Sequence, residues 1–292
     1  MTEQQLVFDL SAPEKKSRTP AERRVFRQRF ELRRAALKWL LENAKPTAAA
    51  LDVVTRIAKF HADIAAFWSQ PVRNVLDEGP SQILRPMRTA IIQCCMTRAE
   101  CWPDCMRSQE LLPKLCQLKE QANQLEAAIR LHEPELRDDA SLFEEYAIWR
   151  YEDSTNEEYH RCRRAVAKTE HAIYRGSQFE RIRQAALADI LYLAVPEGLI
   201  QPRELADGWG LLWVHDDMSV TIAQQPQVRN CLDANRMHLV QNTAIAAAEA
   251  TRYVVGLLAH SGGRCSFVKP PRFHRRPEHP TLGVGKPAPL SA

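Results

Sequence analysis

Apolar and polar positions along this chain change period several times, and each change marks an element. Residues 90–96, Ala90-Ile91-Ile92-Gln93-Cys94-Cys95-Met96, form a short and nearly continuous apolar run. Such a run predicts a strand covered on both faces. Residues 60–68 are apolar at almost every position except Asp63, and 189–196 make a third run of the same kind. A looser alternation over 51–58 predicts a strand before them. Residues 69–86 hold Pro71, Gly79, Pro80 and Pro86, which predict a long connection between strands. Gly208-Trp209-Gly210 introduces a further strand over 211–215, and Asp216-Asp217 turns it into a partner over 220–223.

Elsewhere the period is helical. Thr19-Pro20-Ala21-Glu22 reads as a helix start, with proline at the first position and glutamate at the third. The helix runs to about residue 43, with Phe26, Phe30, Leu32, Ala36, Leu37, Leu40 and Leu41 on one broad side, and Lys45-Pro46 stops it. Leu111, Leu115, Leu118, Ala122, Leu125 and Ile129 repeat at heptad spacing. A second seam carries Tyr159, Cys162, Val166, Thr169 and Ile173. The two seams form either an antiparallel helical hairpin or two ordinary helices packed on the main core. Helices over 179–187 and 230–259 complete the pattern.

This order divides the chain into five parts: an irregular arm over 1–20, a first core segment over 21–110, and an inserted helical hairpin over 111–178. A second core segment with the C-terminal helix follows over 179–262, and a disordered basic tail over 263–292. The predicted fold class is α/β.

Composition adds a charge argument. The net charge is only +4, but residues 1–45 carry 11 Lys/Arg against 6 Asp/Glu, and 263–292 carry 6 against 1. Basic ends around a slightly acidic body suit contact with a phosphate backbone, or are simply solvated termini. No basic segment followed by an apolar run reads as a secretory signal, and no stretch has the ~18 apolar residues of a spanning helix. Eight cysteines in such a chain fit a reducing cytoplasm, with no membrane partner.

Several segments together carry a family resemblance. They are Ala62-Asp63-Ile64, Thr97-Arg98-Ala99-Glu100, Tyr192-Leu193-Ala194-Val195-Pro196-Glu197-Gly198-Leu199-Ile200 and Leu205-Ala206-Asp207-Gly208-Trp209-Gly210-Leu211-Leu212. This set resembles the PD-(D/E)XK nuclease superfamily, and in particular small bacterial members tied to DNA repair, over about 51–107 and 179–224. The resemblance implies a restriction-endonuclease-like mixed sheet and a Mg²⁺ ion held by carboxylates from two adjacent strands. It also implies a lysine two residues after the second carboxylate. Counting back from Arg98 places that carboxylate at Gln93 and that lysine at Cys95, so Asp63 alone is kept. A glutamine brings no negative charge and a cysteine no fixed cation. Glu100, Asp104 and Glu31 are candidates for a relocated carboxylate, and Lys59 or Arg98 for the cation.

The resemblance therefore implies a DNA-associated protein, a degenerate or site-migrated metal-dependent phosphodiesterase, with Arg98, Arg272, Arg275 and Arg276 as nucleic-acid contacts. A different reading of the seams makes the chain a non-catalytic scaffold, forming a homo-oligomer or holding a partner helix through 111–173. Asp63 also reads as a satisfied core carboxylate. Cys94, Cys95, Cys101, Cys105 and Cys116 fall within 23 residues, but no C-x2-C spacing occurs among them, which argues against Zn²⁺.

Overall fold

The computed structural model describes residues 20–55, 60–73, 82–102, 105, 107–137, 149–175, 177–260, 264–271 and 280–283. Helix α1 spans Pro20–Trp39 and ends in a π turn over Leu40–Ala44, closed by Lys45 in the left-handed region at φ 44°. Its buried stripe is Leu32, Ala35, Ala36 and Leu40. Phe26 and Leu41 are about half exposed, so the inward face is narrower than the apolar side of the sequence.

Six strands form one mixed sheet in chain order: β1 Ala48–Val54, β2 His61–Arg73, β3 Gln82–Cys94, β4 Ile190–Pro196, β5 Gly210–Val214 and β6 Val220–Gln224. The β3–β4 and β4–β5 pairs are parallel and the others antiparallel. Helix α1 covers one face over Ile64, Ala66, Ile92, Cys94, Ala194 and Leu212. A second core fills the other face, where Ile91, Leu191, Leu193, Val195 and Leu211 meet the remaining helices. The protein is thus an α/β fold around a mixed sheet. No helix among the described residues is long and apolar enough to cross a membrane.

The stretch 69–86 differs from its expected role as a connection. β2 continues to Arg73 and β3 begins at Gln82, so the two project as a ribbon in which Ser69 faces Pro86 and Pro71 faces Leu84. Beyond Phe67 β2 has no partner in β1, and β3 pairs with β4 only from Ala90. Among the described residues each strand of the ribbon therefore has an open side, where a missing proline N–H costs no ladder bond.

Among the described residues the crossover from β3 to β4 carries four α-helices: α2 Arg98–Cys101, α3 Ser108–His132, α4 Glu157–Tyr174 and α5 Gln178–Gln184. α3 and α4 run antiparallel. Trp102 Nε1, just past α2, donates to Tyr174 Oη at 3.0 Å, Cys162 Sγ to the Leu118 carbonyl at 3.3 Å, and Tyr159 Oη to Glu126 at 3.1 Å. Leu115, Ala122 and Ile129 are buried, as are Cys162, Val166 and Ile173. The heptad seams thus face each other or the sheet, so they do not offer a partner helix the surface that their spacing alone would grant.

Helix α6, Asp233–Val254, packs on β1, β2 and β3, and leads into a small hairpin of β7 Leu257–Ala259 and β8 Cys265–Phe267. The segment 263–292 is accordingly not wholly irregular. β8 is a strand, and Leu282 is buried against α1 with its N–H bonded to the Asp216 carbonyl at 3.0 Å.

Two glycines have steric reasons. Gly208 lies at φ 89°, a conformation that favours glycine. A Cβ at Gly210 would stand 2.5 Å from the Tyr192 ring, so β5 approaches β4 closely only without a side chain there.

Candidate functional site

Side chains in a strand alternate between faces, but β1 and β2 break this rule together. Ile64 and Ala66 pack with α1, whereas Ala62, two residues before Ile64, packs in the opposite layer. The same switch separates Leu51 from Val53. It coincides with Asp52, whose φ is 54°, a left-handed value that aspartate tolerates better than most residues. Asp52 lies opposite Asp63, between the pairs Leu51–Ile64 and Val53–Ala62. Two carboxylates on adjacent strands are thereby presented to α1.

Arg33 of α1 answers both. Its Nη1 donates to Asp52 Oδ1 at 2.9 Å, and its Nη2 donates to Asp63 Oδ1. The second Asp63 oxygen accepts the Cys94 N–H at 2.8 Å. Burial works against the Arg33 charge, but Asp63 and then Asp52 outweigh it and hold its pKa above the ordinary arginine value. The Asp63 side chain is 6 % exposed, so this cation is its main compensation. Cys94 sits beside the pair, and burial followed by the Asp63 charge pushes its thiol well up, leaving it protonated.

The other expected positions lie elsewhere. Gln93 shares the parity of Ile91 and Cys95, which face the helical layer, and its Nε2 donates to the His61 carbonyl at 3.2 Å. Cys95 packs with Cys101 and Trp102, and a hydrogen bond with Cys101 followed by burial raises its thiol pKa. Glu100 is turned back on its own loop, where Oε2 accepts the Met96 N–H at 2.9 Å. Glu31 pairs with Arg34 at 2.5 Å. Asp104, Lys59, Arg272, Arg275 and Arg276 lie outside the described residues.

The structure therefore brings Asp63 together with Arg33 and Asp52, whereas Gln93, next to it in the β2–β3 register, gives its amide N–H to the His61 carbonyl and Cys95 packs with Cys101 and Trp102. These residues do not fit a Mg²⁺ site of the implied kind: the Asp63 charge is already met by the Arg33 guanidinium, and Gln93 and Cys95 supply neither a second negative charge nor a fixed cation. Among the described residues no group of three or more His, Cys, Asp or Glu side chains is arranged to hold an ion. Asp52 and Arg33 are absent from the sequence-derived set. One signal for Arg33 is its spacing, because Arg29 and Arg33 continue the helical row of Ala36 and Leu40 toward the sheet. An arginine on a core-facing row calls for a carboxylate opposite it.

Arg98 has a positioning role. It donates to the Leu199 carbonyl at 2.8 Å and pairs with Glu204 at 2.5 Å, and that hydrogen bond raises its pKa. Its guanidinium also lies 5.0 Å from the Trp102 ring centroid. Two of the motif segments thus touch each other here, where Thr97–Cys101 docks on the connection between β4 and β5.

The outward side of α1 offers a different surface. Arg24 and Arg27 are exposed, Phe26 is 55 % exposed, and neither arginine makes an ion pair among the described residues. They line an open groove of about 750 Å³ with Phe30 and Arg34. Its far wall is the segment 280–283, fixed by Gly283 N–H on Asp216 Oδ1 at 2.7 Å and by Gln28 Nε2 on the Gly283 carbonyl at 3.0 Å. Guanidinium groups alternating with phenyl rings can hold phosphates and stack bases.

No family model and no curated protein matches the chain. Among solved structures, the SPO1766 protein of unknown function from Silicibacter pomeroyi shares 15% identity with it, over 77% of this chain and 89% of its own, at a TM-score of 0.37. A likeness of that size carries no argument about fold or function.

Proposed function

We propose that this chain is a nucleic-acid-associated relative of the PD-(D/E)XK nucleases that binds without cutting, in the reducing cytoplasm. The observation that carries this reading is the guanidinium of Arg33 on Asp63, the carboxylate that the motif resemblance assigns to the metal. A fixed organic cation neutralises the charge that would attract Mg²⁺, and it cannot generate a hydroxide from water as a metal does. The second carboxylate and the lysine of the motif are replaced by Gln93 and Cys95, which removes most of the electrostatic stabilisation on which hydrolysis relies.

Binding is supported by the arginines of α1. Backbone phosphates are recognised through charge, so affinity falls steeply with salt. The scaffold reading through 111–173 is weaker, because α3 and α4 spend their seams on each other and on the sheet. Fluorescence anisotropy of labelled DNA tests the proposal. Retention should weaken by at least about tenfold between about 50 and 200 mM salt. Arg24→Glu with Arg27→Glu should weaken it across all sequences. Salt-independent binding, or none at low salt, would overturn the proposal.

A further inference from the structure

The N-terminal half of α1 carries more positive charge than its surroundings meet. Residues 24–34 hold five arginines and one glutamate. Arg33 is paired with Asp63 and Asp52, and Arg34 with Glu31. Arg24, Arg27 and Arg29 make no ion pair among the described residues. Arg29 differs from the other two, because it is partly buried and its Nε is closed off from water without an acceptor. A buried donor that has lost its water and found no partner is costly, and on a cation more so. Such an atom marks a place for an acceptor that arrives from outside the chain.

That place lies at the carboxyl end of the central strands. α1 runs antiparallel to β3: Ala44, past the helix end, accepts from Trp68 Nε1 at 2.7 Å beside the ribbon, whereas Arg33 sits over Asp63, which holds the Cys94 N–H. Arg29 is one turn earlier, about 6 Å farther along the same row. Its charge acts on Cys94, the last residue of β3, but burial and the Asp63 charge keep that thiol protonated, so it does not answer the cation. β3 and β4 are parallel there, and Cys95 N–H bonds the Ala194 carbonyl at 3.0 Å. Ligands of open α/β sheets commonly bind beyond such carboxyl ends.

We infer that Arg29 holds a backbone phosphate of the nucleic acid, beside the carboxylate that the motif resemblance assigns to the metal. This contact presupposes the proposed function and extends it, adding to Arg24 and Arg27 a third cation on the sheet-facing side of α1. A guanidinium suits the role, because it stays charged in a partly dry site and offers parallel N–H donors to two phosphate oxygens. Arg33 is less suited, since two carboxylates already meet its charge.

Anisotropy titrations of labelled DNA with the full chain, between about 50 and 200 mM salt, test the contact. Each phosphate contact adds about 0.9 to the steepness of log affinity against log salt. Arg29→Gln should bind more weakly than the wild type at about 50 mM and lower the slope by about 0.9, so that the gap narrows about threefold by about 200 mM. Arg29→Lys should keep the wild-type slope, because it keeps the charge. Neither variant should lower the urea midpoint, since Arg29 gives up no ion pair among the described residues. An unchanged slope in Arg29→Gln, or a slope lowered equally in Arg29→Lys, would overturn the contact and leave the proposed function standing. So would a fall in midpoint that accompanies the loss of binding, which marks a structural arginine. A wild type that binds no DNA at low salt would overturn both. Inorganic phosphate, matched in ionic strength to chloride, should displace no more DNA from the wild type than chloride does. Stronger displacement that disappears in Arg29→Gln would assign the site to free phosphate and overturn the contact with nucleic acid.

Discussion

Arg33 on α1 and Asp63 on β2 are joined by an ion pair that crosses from the helix to the edge of the core, and Asp52 shares the same guanidinium. The contact orients α1 over the sheet and compensates a carboxylate with little access to water. It also bears on the chemistry available there, because a carboxylate whose charge is met by a fixed arginine attracts a cation from solution less strongly.

Removing that arginine should be costly. Arg33→Met leaves Asp63 buried with one backbone N–H, and breaking a buried pair from one side costs about 3 kcal/mol. Urea denaturation should show that loss, and adding Asp63→Leu should recover most of it, since replacing both charges by apolar groups is often close to neutral.

Asp189, at the start of β4, is a second buried carboxylate with a defined acid response. Burial alone would raise its pKa. Arg236 at 2.7 and 3.0 Å, the Cys231 N–H and the Thr89 N–H together bring it down to about 2. The folded value lies below the unfolded one near 3.9, so the stabilisation is complete above pH about 4 and is lost as pH falls through about 2. Its size is about 2 kcal/mol. Acid unfolding followed by tryptophan fluorescence should show this dependence in the wild type, and Asp189→Asn should abolish it in that window.

Lys119 ties the helical hairpin to the turn before β5. It reaches Glu170 at 2.8 Å, Asp207 at 2.9 Å and the Leu205 carbonyl at 2.6 Å. Lys119→Met should therefore cost about 3 kcal/mol, because Glu170 loses its cation beside Asp207, which keeps only Arg163 at 3.1 Å. Hydrogen exchange should quicken in α3 and α4 before it changes in β3 and β4.

Gly210→Ala should lower stability by about 1 to 3 kcal/mol through overpacking. Its Cβ would meet the ring of Tyr192, which is held at its edge by Trp39 with centroids 5.5 Å apart. Thermal unfolding of Gly210→Ala alone and with Tyr192→Leu checks the cause, because the smaller side chain should relieve the loss.

Much of the sheet was legible in the apolar runs, since β2, β3 and β4 are covered on both faces and their composition says so. The ribbon over Ser69–Arg73 and Gln82–Pro86 was not, because prolines read as breakers until the neighbouring strands are known to stop short. Asp63 stood out as a polar residue in an apolar run. Its partner did not, because the contact depends on a change of strand face at Asp52, and a positive φ at an aspartate leaves no mark in the sequence. Nor does the motif spacing reveal that Cys95 packs with Cys101 and Trp102 in the helical layer. The tail from 263 read as irregular because β8 and Leu282 are short anchors in proline-rich surroundings, held by contacts distant in sequence.

Asp63 serves a structural ion pair, and the proposed function is to hold DNA without cutting it. The most direct measurement incubates the wild type with end-labelled single-stranded and duplex DNA in Mg²⁺ or Mn²⁺, and resolves the products on a denaturing gel. Intact DNA, under conditions where anisotropy reports it bound, is the predicted result. Fragments that appear with the wild type and vanish with Asp63→Ala would contradict it.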